Sequence, residues 1–143
     1  MKRLAKMVLA VIAALAFNAN ANANANANEA ININCEEVAN HVAAYHDMIK
    51  KEPAAPTILF KAIDKNFEGK PVYARWFNYG LVNEAAVGVV FENNSEIKNR
   101  IANECKANKV AFAERIFNKG GAGAKNHAIV DLGNGFIDIV RIK

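Results

Sequence analysis

The chain holds two cysteines, Cys35 and Cys105. Any internal cross-link therefore has one connectivity and closes a loop of 70 residues. In the chain-entropy account such a closure stabilises a fold by about 4 kcal/mol. Other uses of these cysteines fail on spacing. There is no Cys-x-x-Cys for redox or zinc chemistry, and Asn32 and Asn34 stand where a lipidated cysteine needs small and aliphatic residues. A structural disulfide is the simplest expectation, with two free thiols as the alternative.

Pairing depends on the compartment, and the N-terminus speaks to that. Lys2, Arg3 and Lys6 are followed by an uncharged run of 11 residues, 7–17. This is the layout of a secretory signal peptide, and the run is too short to span a bilayer. Residues 18–28 alternate Asn and Ala, so Ala21, Ala23, Ala25 and Ala27 each complete an Ala-x-Ala cleavage site. Cleavage near Ala27 predicts a leader over 1–27 and a single globular domain over 28–143, in the periplasm or secreted, where disulfides persist. The Asn-Ala tract reads as a ragged N-terminus; the rival reading is a strand with stacking Asn ladders. Without the leader, 15 basic residues face 14 acidic ones. The whole-chain pI of 9.1 thus reports mainly the leader and predicts no nucleic-acid partner. At 52% hydrophobic and 22% charged, the chain has the composition of a folded domain.

Asn34 can cap a helix, with Glu37 three residues on as in a capping box. Val38, Val42, Tyr45 and Ile49 recur at helical spacing, Ala39 and Ala43 widen the stripe, and Pro53 stops it. This helix carries His41 and His46, which lie about 140° apart around its axis. That placement does not suit a shared metal and predicts flank histidines. A second helix follows from Pro56 to Phe67 through Leu59, Phe60 and Ile63, closed by Gly69. Residues 72–79 fit a strand or a short helix equally. The β-branched apolar run 85–91 reads as a buried strand. Ser95 then offers an N-cap for the longest helix, through Ile97, Ile101, Cys105, Phe112 and Ile116, with a break near 107–109 and an end at Gly120. Two β-branched runs around Gly133-Asn134-Gly135 predict a C-terminal β-hairpin, packed beside the 85–91 strand. The predicted fold is α+β: three helices stapled by one disulfide, packed with a small antiparallel sheet that includes the hairpin.

Catalytic signatures are missing from the sequence. No nucleophile sits at a recognisable spacing from a base, and Thr57 and Ser95 have turn or cap roles. Asp131 and Asp138 face each other across the hairpin as ordinary strand residues rather than a glycosidase pair. The stretch 120–124 lacks the Gly-Lys-Ser/Thr of a phosphate loop and reads as a flexible connector. Arg75 beside Trp76 and Phe77 is the pattern of a single-strand nucleic-acid platform, but a near-neutral exported domain makes these core and interface aromatics. No catalytic residue, metal or cofactor is expected.

Cys35-Glu36-Glu37-Val38, Pro56-Thr57 opening an apolar helix, Lys70-Pro71, and the run from Ile97 to Cys105 followed by Lys106, Asn108 and Phe112 resemble the small periplasmic acid-stress chaperones of the HdeA/HdeB type. The resemblance spans Cys35 to Ile116; the longer interval between cysteines and the terminal hairpin depart from it. It implies a disulfide-locked homodimer at neutral pH that loosens in acid and holds unfolded clients. The mature charge permits this, rising from +1 to +18 once its carboxylates are neutral and its three histidines are charged. The apolar residues expected to bind clients are Ile58, Leu59, Phe60, Ile63, Trp76 and Phe77. The alternative is a folded binding module, such as an immunity protein or a hydrolase inhibitor, with a protein partner and no membrane span.

The cysteine arithmetic is directly testable. The mature protein should weigh two hydrogens less than its reduced form by mass spectrometry, and Cys35→Ser should lower the melting temperature. Full alkylation of both thiols in the unreduced native protein would contradict the pairing.

Overall fold

The computed structural model describes residues 31–69, 72–121, 127–133 and 136–141. The expected leader, its expected cleavage sites and the Asn-Ala tract lie outside the described residues, as do 122–126 of the expected connector and Asn134-Gly135 of the expected hairpin turn.

Helix α1 (Cys35–Lys51) starts where Asn34 accepts a hydrogen bond from the Glu37 amide at 3.1 Å, and it ends ahead of Pro53. Helix α2 (Ala55–Asn66) has a proline in its first turn, and the backbone turns away at Gly69, φ +77°, a value that favours glycine. Helix α3 (Val72–Phe91) follows, then α4 (Asn94–Ala107) and α5 (Lys109–Gly120). The core is shared by all five helices, with Val42, Tyr45, Leu59, Ile63, Leu81, Ile97, Ile101 and Ile116 buried together. Cys35 and Cys105 form a disulfide that ties the start of α1 to the end of α4.

This architecture overturns the expected α+β domain of three helices. The body is five helices, and α3 takes in both the ambiguous 72–79 segment and the run 85–91 that the sequence reads as a buried strand. An all-apolar run shows no period of its own, and packing against α1, α2 and α5 outweighs the strand preference of its valines. The predicted last helix is two helices, broken at Asn108. This residue closes α4 with its amide, bonded to the Glu104 carbonyl at 3.3 Å, and caps α5 with its side chain, bonded to the Ala111 amide at 3.0 Å. The N-cap of α4 is Asn93 rather than Ser95, because Glu96 stands at the third helical position from Asn93 and completes a capping box. Outside the helical body, strands β2 (His127–Gly133) and β3 (Phe136–Arg141) pair antiparallel. Strand β3 also pairs with β1 (Ile31–Asn32), so the hairpin does not sit beside residues 85–91. Strand β2 lies against α5, with Ile129 packed on the core.

Helices α3 and α5 run antiparallel and touch backbone to backbone. A Cβ on Gly80 would penetrate the Ile116 carbonyl, and one on Gly120 would penetrate the Trp76 carbonyl and crowd the Gly80 amide. Neither neighbour can rotate away, being main chain. Gly88, one turn from the end of α3, instead faces the end of the Ile97 side chain of α4, which can move aside. Gly80→Ala should therefore destabilise the protein by about 2 kcal/mol, the overpacking cost outrunning the gain in helix propensity. Denaturant titration of the variant would measure the difference.

Candidate functional site

Helix α3 carries two charged residues over its length, Arg75 and Glu84. Glu84 is 3% exposed. An ionised carboxylate in that setting needs strong compensation, and three cations converge on it. Arg115 of α5 grips it with two bonds, Nη1 to Oε2 at 2.9 Å and Nη2 to Oε1 at 3.0 Å. Arg100 of α4 donates to Oε1 at 2.8 Å, and the Lys119 ammonium of α5 lies 2.7 Å from Oε2. Two further carboxylates balance the charge. Glu92, in the α3–α4 turn, accepts from Arg100 Nε at 2.7 Å, and Glu104 accepts from Arg115 Nε at 2.5 Å and Nη2 at 2.8 Å. The cluster joins α3, α4 and α5 at one point. Burial pushes the Glu84 carboxyl up, but the hydrogen bonds from Arg115, Lys119 and Arg100 outweigh it and hold the group at about 2. The same contact with Glu84 raises Arg115 above its usual value.

A second polar contact fixes the α3–α4 corner onto α1. His46 is fully buried, and its Nε2 donates to the Glu92 carbonyl at 2.9 Å, which places the hydrogen on that nitrogen since a carbonyl only accepts. In return Asn94 Nδ2 donates to the Ala43 carbonyl at 2.7 Å. His41 is also buried and bonds the Glu37 carbonyl through Nδ1 at 2.6 Å. The expectation of flank histidines is thus corrected: α1 is covered by α2, α3 and α4, so positions 140° apart are both interior.

The residues expected to bind clients divide by depth. Leu59, Ile63 and Phe77 are core, at 0%, 0% and 4% exposure, and Ile58, Phe60 and Trp76 are half-buried. Phe60 meets Tyr79 edge-on at 5.3 Å, and Trp76 meets Phe117 edge-on at 5.6 Å. The large hydrophobic side chains that stand out into solvent are Val87, Val90 and Phe91, at 50%, 74% and 77%. These belong to the run that the sequence places in a buried strand. Sequence reasoning also passed over Glu84, whose signal is an acid isolated in an otherwise nearly uncharged 20-residue helix. Among the described residues no group of three or more His, Cys, Asp or Glu is placed to hold a metal, and no helix is long and apolar enough to cross a membrane.

Comparison with known proteins finds no match to a family model, a curated protein or a solved structure.

The depressed Glu84 value has a defined consequence. Its contribution to stability is complete above the unfolded pKa, near 4.5, and is lost as the pH falls towards 2. The difference corresponds to roughly 3 kcal/mol. Glu84→Gln should lower stability at pH 7 by about that amount and flatten the stability profile between about pH 4.5 and 2, as read by denaturant midpoints across that range.

Proposed function

We propose that the protein is a small exported, non-catalytic chaperone that holds unfolded client proteins when acid opens its helical body. The observation that carries this reading is the buried Glu84 beneath Arg100, Arg115 and Lys119. Once that carboxylate is protonated, three cations stay crowded at the junction of three helices, and packing must resist their repulsion unaided. The loss falls below about pH 4.5, the window in which proteins of an acidified compartment unfold and need holding. The disulfide withstands acid and keeps α1 and α4 joined, so the opened chain stays compact enough to recover. Trp76 and Phe77 belong to the helix that carries Glu84, and Leu59, Ile63 and Phe60 to the helix packed on it, which makes them the apolar surface available on opening. The resemblance to the HdeA/HdeB type points the same way and adds a homodimer at neutral pH and a periplasmic or secreted location. Nucleic acid has no place in this reading.

A second reading, a module that binds one protein partner in its folded state, as an immunity protein or a hydrolase inhibitor does, is favoured by the solvent exposure of Val87, Val90 and Phe91 at one helix end.

Trp76 is the single tryptophan and reports its region without labelling. A red shift of its emission between about pH 7 and pH 2, reversed on neutralisation and accompanied by suppressed aggregation of acid-denatured citrate synthase, is the expected result. Unchanged emission with no suppression would favour the folded-state binding module instead.

A further inference from the structure

We propose that α3 presents one continuous docking stripe for an apolar segment of an unfolded protein chain, open at Val87, Val90 and Phe91 and covered by α5 at Trp76 and Gly80, and that acid uncovers the second part by lifting α5. The proposal deepens the acid-chaperone reading and rests on it.

Positions 76, 80, 83, 87 and 90–91 recur every three or four residues and so share one side of α3. Helix α5 lies antiparallel over the first part of that side. Trp76 packs on Phe117 and against Gly120 and Gly121, Gly80 abuts Ile116, and Asn83 Nδ2 donates to the Lys119 carbonyl at 2.8 Å. Past Glu84 the same side continues as the exposed Val87, Val90 and Phe91. The open patch is thus an extension of an interface the protein already uses to hold a helix. A second copy seated on the open end is ruled out by size: side chains of at most about 250 Å² each, exposed at 50%, 74% and 77%, offer no more than about 500 Å² together, short of the ~800 Å² per partner of a stable interface. A chain segment that begins on the open end and continues into the space left by α5 uses the whole stripe.

The placement of charge makes α5 the part that moves. Glu84 is faced by Arg100 and Glu104 from α4, by Arg115 and Lys119 from α5, and by Glu92 across Arg100 in the turn; on α1, His46 sits against the Glu92 carbonyl. With Glu84 protonated, Arg100, Arg115 and Lys119 lose the carboxylate they share, and two of the three ride on α5. That helix lies outside the loop closed by Cys35 and Cys105, whereas α1 and α4 remain cross-linked through it. The apolar face of α5, Phe112, Ile116 and Phe117, opposes release, and an incoming apolar segment replaces what α3 loses.

Hydrogen exchange of the whole protein, read by mass spectrometry at about pH 7 and pH 2, tests this. After correction for intrinsic rates, residues 109–120 should exchange about tenfold or more faster at the lower pH while 35–49 and 97–105 stay protected. Adding acid-denatured citrate synthase should restore protection within 76–91. Helix α5 remaining as protected as α1, or all helices losing protection together, would overturn the lifting of α5. Val90→Ser with Phe91→Ser changes exposed positions only and should weaken aggregation suppression several-fold, and unaltered suppression would overturn the open end. Suppression by a protein whose α5 stays closed removes this inference and leaves the chaperone reading standing; absence of suppression at every pH removes the chaperone reading itself.

Discussion

Much of this structure follows from how closely α3 and α5 approach. Main chain meets main chain at Gly80 and Gly120 because neither carries a Cβ. That distance lets Arg115 and Lys119, on α5, reach a carboxylate rooted in α3 that is itself almost out of contact with water. Two methyl-sized groups would push the helices apart and take the arginine fork out of register with its acceptor. Gly80, in the interior of α3, costs that helix about 1 kcal/mol in propensity, a cost offset by the ion cluster and by the aromatic contact between Trp76 and Phe117.

The covalent and electrostatic ties are divided between different parts of the chain. The disulfide encloses α1 to α4, and the Glu84 cluster fastens α5 onto that enclosed unit. One tie is indifferent to protons and the other is governed by them. Under the proposed acid opening, the helices would therefore respond unequally, and the asymmetry would be set by where Cys105 falls relative to Asn108.

The sequence spoke clearly where local chemistry decides the outcome. The Asn34 cap, the stop before Pro53, the proline opening α2, the break near Asn108 and the pairing of Cys35 with Cys105 all rest on a few neighbouring residues or on a count of two. It misled where tertiary surroundings decide. The run 85–91 carries the composition of a buried strand, yet it ends a helix whose last turns are partly in solvent, since Gly88 sits against Ile97 while Val87, Val90 and Phe91 have no helix over them among the described residues. His41 and His46 looked peripheral because a helical wheel cannot show that α1 is enclosed by three others. Glu84 was overlooked for a related reason: its partners lie 16, 31 and 35 positions away, and no spacing rule connects them.

Asn108 closes one helix with its amide and opens the next with its side chain, so a single residue joins α4 to α5. A detached α5 would be confined to a small volume around its own seat, at an effective concentration of millimolar order. Under the proposed function, bound clients would compete from far lower concentrations. On return to neutral pH, Glu84 would regain its charge, and the tethered helix would outcompete whatever the proposal places on α3 by mass action alone. In the proposed chaperone, client discharge would then be timed by the recharging of one carboxylate and would consume no nucleotide.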